Sequence, residues 1–403
     1  MQSAWFQWLI VEVFYCLHVL TLTSYAIGAD AFQHHLHLNS VQMGSLAAAF
    51  FIAFGLSQLL IGSQLGTRSN RLIIGVSAAL ATIGALLLLG AHTFLTALIA
   101  RILMGAGVGN ALVSTVHVVS ERFPSRFPLM TNFSQAAANF SGAMVGLSIP
   151  FIPALKSITF SFQLGFILLL IDTVFILLFV RDLKTPKKIN RAETQYHPSV
   201  LHRFQVILLS SPFWTSLAFF AGLFGGFLSF AEVWNIQFQI EVFRQDSNFA
   251  PLINTAVIMG LAIGSLGSGA IADRIGHQIP ARVGAVLTLS MLLLLMSGSL
   301  PIGVVLVAQA LLGLGMGTAT LGLTALRCSV SNEDFPLASA LMLTGVFMSA
   351  GLLSAVVGMS AGELQLEASR FEHYQRAMVW FAGFASMACI ASFSMRQTQK
   401  PAA

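Results

Sequence analysis

Long apolar runs separated by short polar stretches repeat along the whole chain. Each run holds about twenty mostly apolar residues, which is the length of α-helix that crosses the roughly 30 Å hydrocarbon core of a bilayer. The pattern predicts an all-α polytopic membrane protein with twelve transmembrane helices. The predicted spans are residues 8–29, 42–62, 71–91, 94–118, 130–152, 160–180, 212–238, 251–272, 281–300, 302–325, 336–360 and 375–395.

The longest connection between predicted spans is polar and basic. It covers residues 181–211 and includes the stretch RDLKTPKKINRAETQYHPSVLHR, whereas most other connections are short. Since it follows the sixth span, it divides the chain into two sets of six. We therefore expect an N-terminal bundle over residues 1–180, a cytoplasmic central loop over 181–211 and a C-terminal bundle over 212–403.

Composition narrows the class of protein. Hydrophobic residues make up 56% of the 403 residues and charged residues only 9%, against roughly a quarter in soluble domains. A soluble fold could not solvate such a surface, and a disordered chain would be more polar and poorer in aromatic residues. The net charge is +5, but no basic patch with interleaved aromatic residues indicates nucleic-acid binding.

Lysine and arginine residues lie mostly on one side of the predicted membrane. If the N-terminus is cytoplasmic, the inside loops and tail hold 15 of them, the outside loops hold 4, and Arg101 lies within a span. The positive-inside rule then predicts that both termini are cytoplasmic. Short loops and the lack of an organelle signal favour a bacterial inner membrane. The N-terminus also lacks the basic region of a cleaved signal peptide.

The two halves of the chain repeat each other at an offset of 208 residues. Residues 127–129 (Phe-Pro-Leu) match residues 335–337, and residues 101–109 (R-x3-G-x-G-x-G) match residues 309–317, where glutamine replaces the arginine. Two matches at one offset and at equivalent helices indicate a parallel repeat. Parallel repeats of this kind are typical of transporters whose site lies between the halves.

Two segments resemble signatures of the major facilitator superfamily. Residues 269–278 (GAIADRIGHQ) are similar to its G-x-L-A-D-R-x-G-R/H-R loop between the second and third helices of a half. Residues 101–109 (RILMGAGVG) are similar to its fourth-helix R-x-x-x-G-x-G-x-G motif. With the helix plan, the resemblance covers the whole chain. It implies two pseudo-symmetric six-helix bundles that rock about a central cavity.

The resemblance also implies a gating loop. In the family, charges of the signature loop help to latch the cytoplasmic side, which assigns this role to Asp273 and Arg274, flanked by Gly269 and Gly276. The first-half copy, residues 62–71 (GSQLGTRSNR), has Gly66 where the aspartate should be. The first-half gate therefore departs from the family pattern.

Arg101 is the strongest candidate for a substrate-binding or proton-coupling residue. It lies about seven residues, or roughly 10 Å, inside the fourth helix. An arginine at the centre of a membrane helix costs roughly 2.5–3.5 kcal/mol on insertion scales, so it needs a partner or water. Gly105 and Gly109 share its side of the helix and let a neighbour approach. It is interpreted as an anion-binding or proton-coupling cation, or alternatively as a structural group that bonds backbone carbonyls; only the first interpretation explains why Gln309 replaces it.

The seventh span carries Glu232, Asn235 and Gln239 on one helical stripe. Glu232 lies near the outer end. It is either a protonatable group that alternates between water and protein or a hydrated carboxylate just past the bilayer edge. Asn254 and Gln309 are weaker candidates in the second half.

Other spans carry smaller polar stripes. Gln135 and Asn139 in the fifth span either line the cavity or bond to other helices. His18 and Tyr25 cluster on one face of the first span, where His18 either exchanges protons or is a satisfied buried histidine, the commoner case. Gln58 in the second span is a further lining candidate.

Two acidic residues remain within spans. Glu12 lies near the inner end of the first helix, and we expect it to be hydrated at the membrane interface. Asp172 lies near the middle of the sixth helix, and we expect it to make local hydrogen bonds.

These features predict that the protein is a secondary transporter and not an enzyme. No G-K-[ST] follows the glycine-rich segments, so no nucleotide and no other cofactor is expected, and no metal-ligand cluster is evident. The expected partners are a small-molecule substrate, the lipid bilayer and protons, and the expected state is a monomer. Arg101 favours uptake of a small polar or anionic organic solute, such as a carboxylate metabolite or a carboxylate siderophore, by alternating access.

Two alternatives stay open. The first is proton-coupled efflux of drug-like or amphipathic solutes, which 15 methionines and many aromatic residues would suit. The second is a transporter-like sensor, although the central loop and tail are too small for an output domain.

Overall fold

The computed structural model describes residues 4–62, 69–123, 127–148, 151–152, 154, 157–181, 200–247, 249–298, 300–331, 334–362 and 370–395. Within these ranges the regular structure is helical and contains no strand. In chain order the helices are α1 (Ala4–His35), α2 (Ser40–Gly62), α3 (Asn70–Leu89), α4 (Phe94–Val108), α5 (Ala111–Arg122), α6 (Phe127–Ser148), α7 (Ile158–Phe179), α8 (Val200–Leu208), α9 (Ser211–Phe220), α10 (Gly226–Ser229), α11 (Asn235–Glu241), α12 (Ala250–Ile275), α13 (Gln278–Leu295), α14 (Ile302–Met316), α15 (Leu321–Arg327), α16 (Phe335–Gly362) and α17 (Arg370–Ser394).

Eleven helical runs in the described ranges are long and apolar enough to cross a membrane. They correspond to every predicted span except the fifth. That span coincides with α6, which carries several asparagine, glutamine and serine residues. The all-helical membrane fold is thus confirmed, and the twelfth crossing stays a prediction.

Three of the predicted spans are composite. The fourth is α4 followed by α5, and the tenth is α14 joined to α15 by a 3₁₀ turn over Gly317–Thr320. The seventh runs from α9 to α11 through two π-helical segments, Ala221–Gly225 and Phe230–Trp234. Such π segments are rare and frequently accompany functional sites.

The predicted central loop contains a short helix, α8. The Nε of Arg203 on α8 donates to Oδ1 of Asp334, just before α16, at 2.6 Å. Hydrogen bonds from the Ser331 hydroxyl and from Arg203 hold the pKa of Asp334 below its usual value. This pair ties α8 to α16. The domain boundaries at 180 and 211 stay predictions, because residues 182–199 lie outside the described ranges.

The glycine motif of α4 makes close helix contacts. A Cβ at Gly105 would collide with the backbone carbonyl of Phe50 on α2, and one at Gly109 would lie 2.6 Å from the carbonyl of Phe54. Gly107 points the other way, toward Ala81 on α3. Two helices therefore pack against α4 at backbone distance, as small residues allow in membranes.

The second half uses its glycine motif in the same way. Gly313 and Gly317 face the backbone of α12, and Gly315 faces that of α13, where the Gly284 carbonyl would lie 2.7 Å from an added Cβ. Since α12 and α13 are the repeat counterparts of α2 and α3, the predicted repeat has the same structural role in both halves.

The two halves meet along α2 and α16. Gly44 on α2 and Gly358 on α16 bring the backbones together, since an added Cβ at Gly44 would lie 3.2 Å from the Cα of Gly358. Farther along, the Thr344 hydroxyl on α16 donates to the Gly55 carbonyl at 3.0 Å. These contacts run along most of the α2 helix.

Further contacts between the halves lie on the first-loop side, which is the side where α1 ends and α2 begins. The Thr23 hydroxyl on α1 donates to Glu232 at 3.2 Å. Gly146, near the end of α6, packs against Thr255 in the second turn of α12. The halves are therefore held together at this end of the helices.

Gly105 should be intolerant of a side chain. We expect Gly105→Ala to lower the free energy of unfolding by about 1–3 kcal/mol, because the methyl group must displace the α2 backbone. Gly267→Ala on α12 is the matched control, since a Cβ there meets nothing within 4 Å. Thermal unfolding in detergent measures both, and equal midpoints would contradict the close α2–α4 packing.

Candidate functional site

The Arg101 guanidinium lies between two aromatic rings. Its Cζ is 3.9 Å from the ring centroid of Tyr25 on α1 and 4.2 Å from that of Phe50 on α2. All three residues are buried, and Arg101 is 0% exposed. The two cation–π contacts stabilise the charge in place of water, and each is worth about 2 kcal/mol or more when desolvated.

The helix packing produces this arrangement. Arg101 lies one turn before Gly105, and Gly105 allows the backbone of α2 at Phe50 to touch α4. That approach brings the Phe50 ring to the guanidinium. The motif R-x3-G therefore positions both the charge and the ring that covers it.

The rings leave the guanidinium nitrogens unbonded. Nε, Nη1 and Nη2 of Arg101 have no hydrogen-bond partner among the described residues, and neither does the hydroxyl of Tyr25. The alternative in which Arg101 bonds backbone carbonyls is therefore wrong for the part of the chain that the structure describes. Because buried polar groups are nearly always paired, these atoms call for an explanation.

His18 lies beside Phe50, and Gln58 lies about two turns farther along α2. The His18 ring lies 6.3 Å from the Phe50 ring and 5.0 Å from the Phe54 ring, between centroids. Nδ1 of His18 and both amide atoms of Gln58 are buried without a partner in the described ranges. The expectation of a satisfied buried histidine is thus wrong for Nδ1.

Aromatic rings lead from this region to the other half. Phe54 on α2 and Phe347 on α16 have centroids 4.0 Å apart, and Phe347 lies 6.4 Å from Phe224 in the first π segment. These rings could not be singled out from the sequence, because the chain contains 33 phenylalanines. Phe50 and Phe54, four residues apart on one helix face, were the available signal.

The second half holds a hydrogen-bonded amide cluster, defined by Asn235, Gln239, Asn254 and Gln309. Nδ2 of Asn235 donates to Oδ1 of Asn254 at 2.8 Å. Nε2 of Gln309 donates to Oδ1 of Asn235 at 3.0 Å, and Nδ2 of Asn235 donates back to Gln309 at 3.2 Å. Gln239 donates to Oδ1 of Asn235 at 3.1 Å.

The repeat-related positions of the two halves therefore differ chemically. Gln309 is fully buried and bonded to Asn235, whereas Arg101 at the equivalent point is fully buried and unbonded within the described residues. The cluster joins four predicted candidates, but its amides mostly satisfy one another.

Glu232 lies in the second π segment and is 2% exposed. Its Oε2 accepts the hydrogen bond from Thr23 of the other half at 3.2 Å. The interpretation of Glu232 as a hydrated carboxylate past the bilayer edge is therefore wrong. The carboxyl group lies at a contact between the halves.

The remaining candidates lie elsewhere. Nε2 of Gln135 donates to Oδ1 of Asn139 at 3.4 Å along α6. At the end of α12, Arg274 is exposed and Gly276 adopts φ +86°, a conformation that favours glycine. Gly269 has open space around it. The side chain of Asp273 and the first-half loop with Gly66 lie outside what the structure describes, so the latch stays a prediction.

The expected hydration of Glu12 is wrong. The α1 helix begins at Ala4, two turns earlier, so Glu12 lies inside the helix and is 3% exposed. The Cys16 thiol donates to its Oε1 at 3.7 Å. Asp172 on α7 is also buried, and its Oδ2 lacks a partner in the described ranges.

Comparison with known proteins decides the family. The profile of the Major Facilitator Superfamily matches residues 13–359. The chain belongs to the major facilitator superfamily. It is accordingly a transporter and no enzyme. No curated protein matches the sequence significantly.

Solved structures share this superfamily fold. A single-residue mutant of the nucleoside transporter NupG is 13% identical with a TM-score of 0.79, over 96% of this chain and 99% of that one. A bacterial homologue of the human lysosomal transporter Spinster is 14% identical with a TM-score of 0.76, over 97% of each chain. A D-xylose-proton symporter is 16% identical with a TM-score of 0.76, over 98% of each.

The amide cluster should depend most on Asn235, which bonds three other members. We expect Asn235→Leu to destabilise the transporter by several kcal/mol, since each buried amide left unpaired costs about 1–3 kcal/mol. Gln239→Leu removes one bond and should cost about 1 kcal/mol. Thermal unfolding in detergent compares the two, and an equal or larger loss for Gln239→Leu would contradict the cluster.

Proposed function

We propose that this transporter takes up a small anionic organic solute bearing a carboxylate, by alternating access and coupled to protons. The observation that carries the proposal is the buried guanidinium of Arg101 without a hydrogen-bond partner among the described residues. A carboxylate would supply both the counter-charge and the missing acceptors.

The geometry around Arg101 favours one direction of approach. Tyr25 and Phe50 cover the guanidinium, so an anion must meet the free N–H edge in the plane of the group. Carboxylates bind a guanidinium edge through two parallel hydrogen bonds. Lysine could not reproduce this arrangement, because its ammonium is a compact point charge that neither stacks nor forks.

The contacts between the halves support a state that is closed on the first-loop side. The Thr23–Glu232 and Gly146–Thr255 contacts lie on the first-loop side. With both termini in the cytoplasm of a bacterial inner membrane, as the charge bias predicts, this closed side faces outward. The protein would then load its solute outside after these contacts separate.

Glu232 is the proposed coupling group. Its carboxyl group is buried against Thr23 of the other half, and it would meet water when the first-loop side opens. A group that alternates between protein and water can take up and release a proton in step with the transport cycle. The protein needs no nucleotide in this scheme and works as a monomer.

Arg101→Gln tests the proposal most simply, because glutamine is the residue at the repeat-related position 309. We expect carboxylate binding to weaken at least about tenfold, since hydrogen bonds to charged groups contribute about 1.5–3 kcal/mol. Arg101→Lys should restore the charge but little of the binding. Ligand-dependent thermal shifts measure both variants.

Transport direction supplies the second readout. In proteoliposomes, uptake of the stabilising carboxylate should rise with an inward proton gradient, and Glu232→Gln should abolish this rise. Equal stabilisation of wild type and Arg101→Gln by every carboxylate would contradict the proposed site. If the carboxylate moves only in the direction opposite to the flow of protons, the result would favour proton-coupled export.

A further inference from the structure

The described part of the chain buries a single cationic side chain. Arg101 is the only arginine or lysine among its buried residues. The neighbouring groups with contacts at the guanidinium or at the ring that covers it carry no fixed positive charge: Tyr25, Phe50 and His18. The site therefore offers one positive charge.

A second carboxylate on the solute would find no cation here. Moving an unpaired charge out of water costs free energy. The same cost appears when one partner of a buried ion pair is removed and the other charge is left buried. The charge balance thus favours a monoanion over the di- and tricarboxylates that a guanidinium alone could also accept.

A series of phenylalanine rings runs from the cover of the guanidinium to the other half. The Phe50 ring that covers Arg101 lies 6.2 Å from the Phe54 ring, and Phe54 lies 4.0 Å from Phe347 of the other half. Phe224 and Phe227 continue the series at 5.8 Å between their centroids. These rings meet at the boundary that alternating access opens and closes.

A solute held by its carboxylate at Arg101 would place its body against these rings. Aromatic pairs contribute beyond the area that they bury, through offset or edge-to-face contacts. A hydroxyl-rich body would lose hydrogen bonds to water and find few replacements among phenylalanines. Among the polar side chains, His18 is the one whose ring lies against this series, 5.0 Å from that of Phe54, and its Nδ1 has no partner in the described ranges.

We infer that the preferred solute is a monocarboxylate with an apolar or aromatic body. This inference rests on the proposed function, because it assumes that Arg101 holds the carboxylate. It adds the charge of the solute and the chemistry of its body. It also disfavours citrate-type siderophores.

Affinities for a small set of probes test the inference on the purified wild-type protein. The probes are benzoate, acetate, 4-methylbenzoate, terephthalate, succinate, citrate and the neutral amide benzamide. Terephthalate and 4-methylbenzoate form a matched pair, because a second carboxylate replaces a methyl group on the same ring. We expect benzoate to bind at least about tenfold more tightly than acetate and 4-methylbenzoate at least about tenfold more tightly than terephthalate.

Two phenylalanine variants locate the body of the solute. Phe54→Leu should weaken benzoate several-fold more than acetate, because only benzoate has a ring to contact Phe54. Phe160→Leu is the matched control, since Phe160 lies on α7 and is 40% exposed. It should leave the benzoate-to-acetate ratio unchanged.

The outcomes separate this inference from the proposed function. If succinate, citrate or terephthalate binds as tightly as the monocarboxylates and Arg101→Gln removes that binding, the inference fails and the proposed function stands. Equal affinities for benzoate and acetate would also overturn the inference. If no carboxylate binds in an Arg101-dependent way, or if benzamide matches benzoate, both fail.

Discussion

Keeping one guanidinium group in the dry interior of a membrane protein constrains everything around it. Arg101 has no carboxylate partner among the described residues, so the rings of Tyr25 and Phe50 carry much of its stabilisation. Phe50 reaches it only because Gly105 lets the backbones of α2 and α4 touch. The packing of the first half and the chemistry of the candidate site therefore depend on the same few residues.

The two halves share a fold but not a chemistry. Their glycine motifs make the same backbone contacts, and the helices around them correspond. At the repeat-related polar position, however, Gln309 belongs to a bonded amide cluster while Arg101 keeps free donors in the described structure. The paired amides already have hydrogen-bond partners, whereas the unpaired N–H groups of Arg101 can still donate to a ligand. The first half therefore buries a charge, whereas the second half pairs its buried amides with one another.

Much of this could be predicted from the sequence. Membrane spans are long and uniform in composition, so eleven of the twelve predicted spans coincide with long apolar helices in the described structure. Arg101 stood out because a charge in an apolar helix is costly. Side-chain pairing could not be predicted: the Asn235–Gln309 bonds join residues 74 positions apart. The burial of Glu12 depends on where α1 begins. The burial of Glu232 depends on which helix of the other half packs against its segment.

The proposed contact between the free edge of Arg101 and the carboxylate of the solute can be observed directly. An experimental structure of the protein with 4-bromobenzoate tests it directly, because bromine can be located by its anomalous scattering. We expect both carboxylate oxygens within hydrogen-bond distance of the Arg101 nitrogens, with the bromine toward Phe54 and Phe347. A ligand bound elsewhere, with the edge of Arg101 untouched, would contradict it.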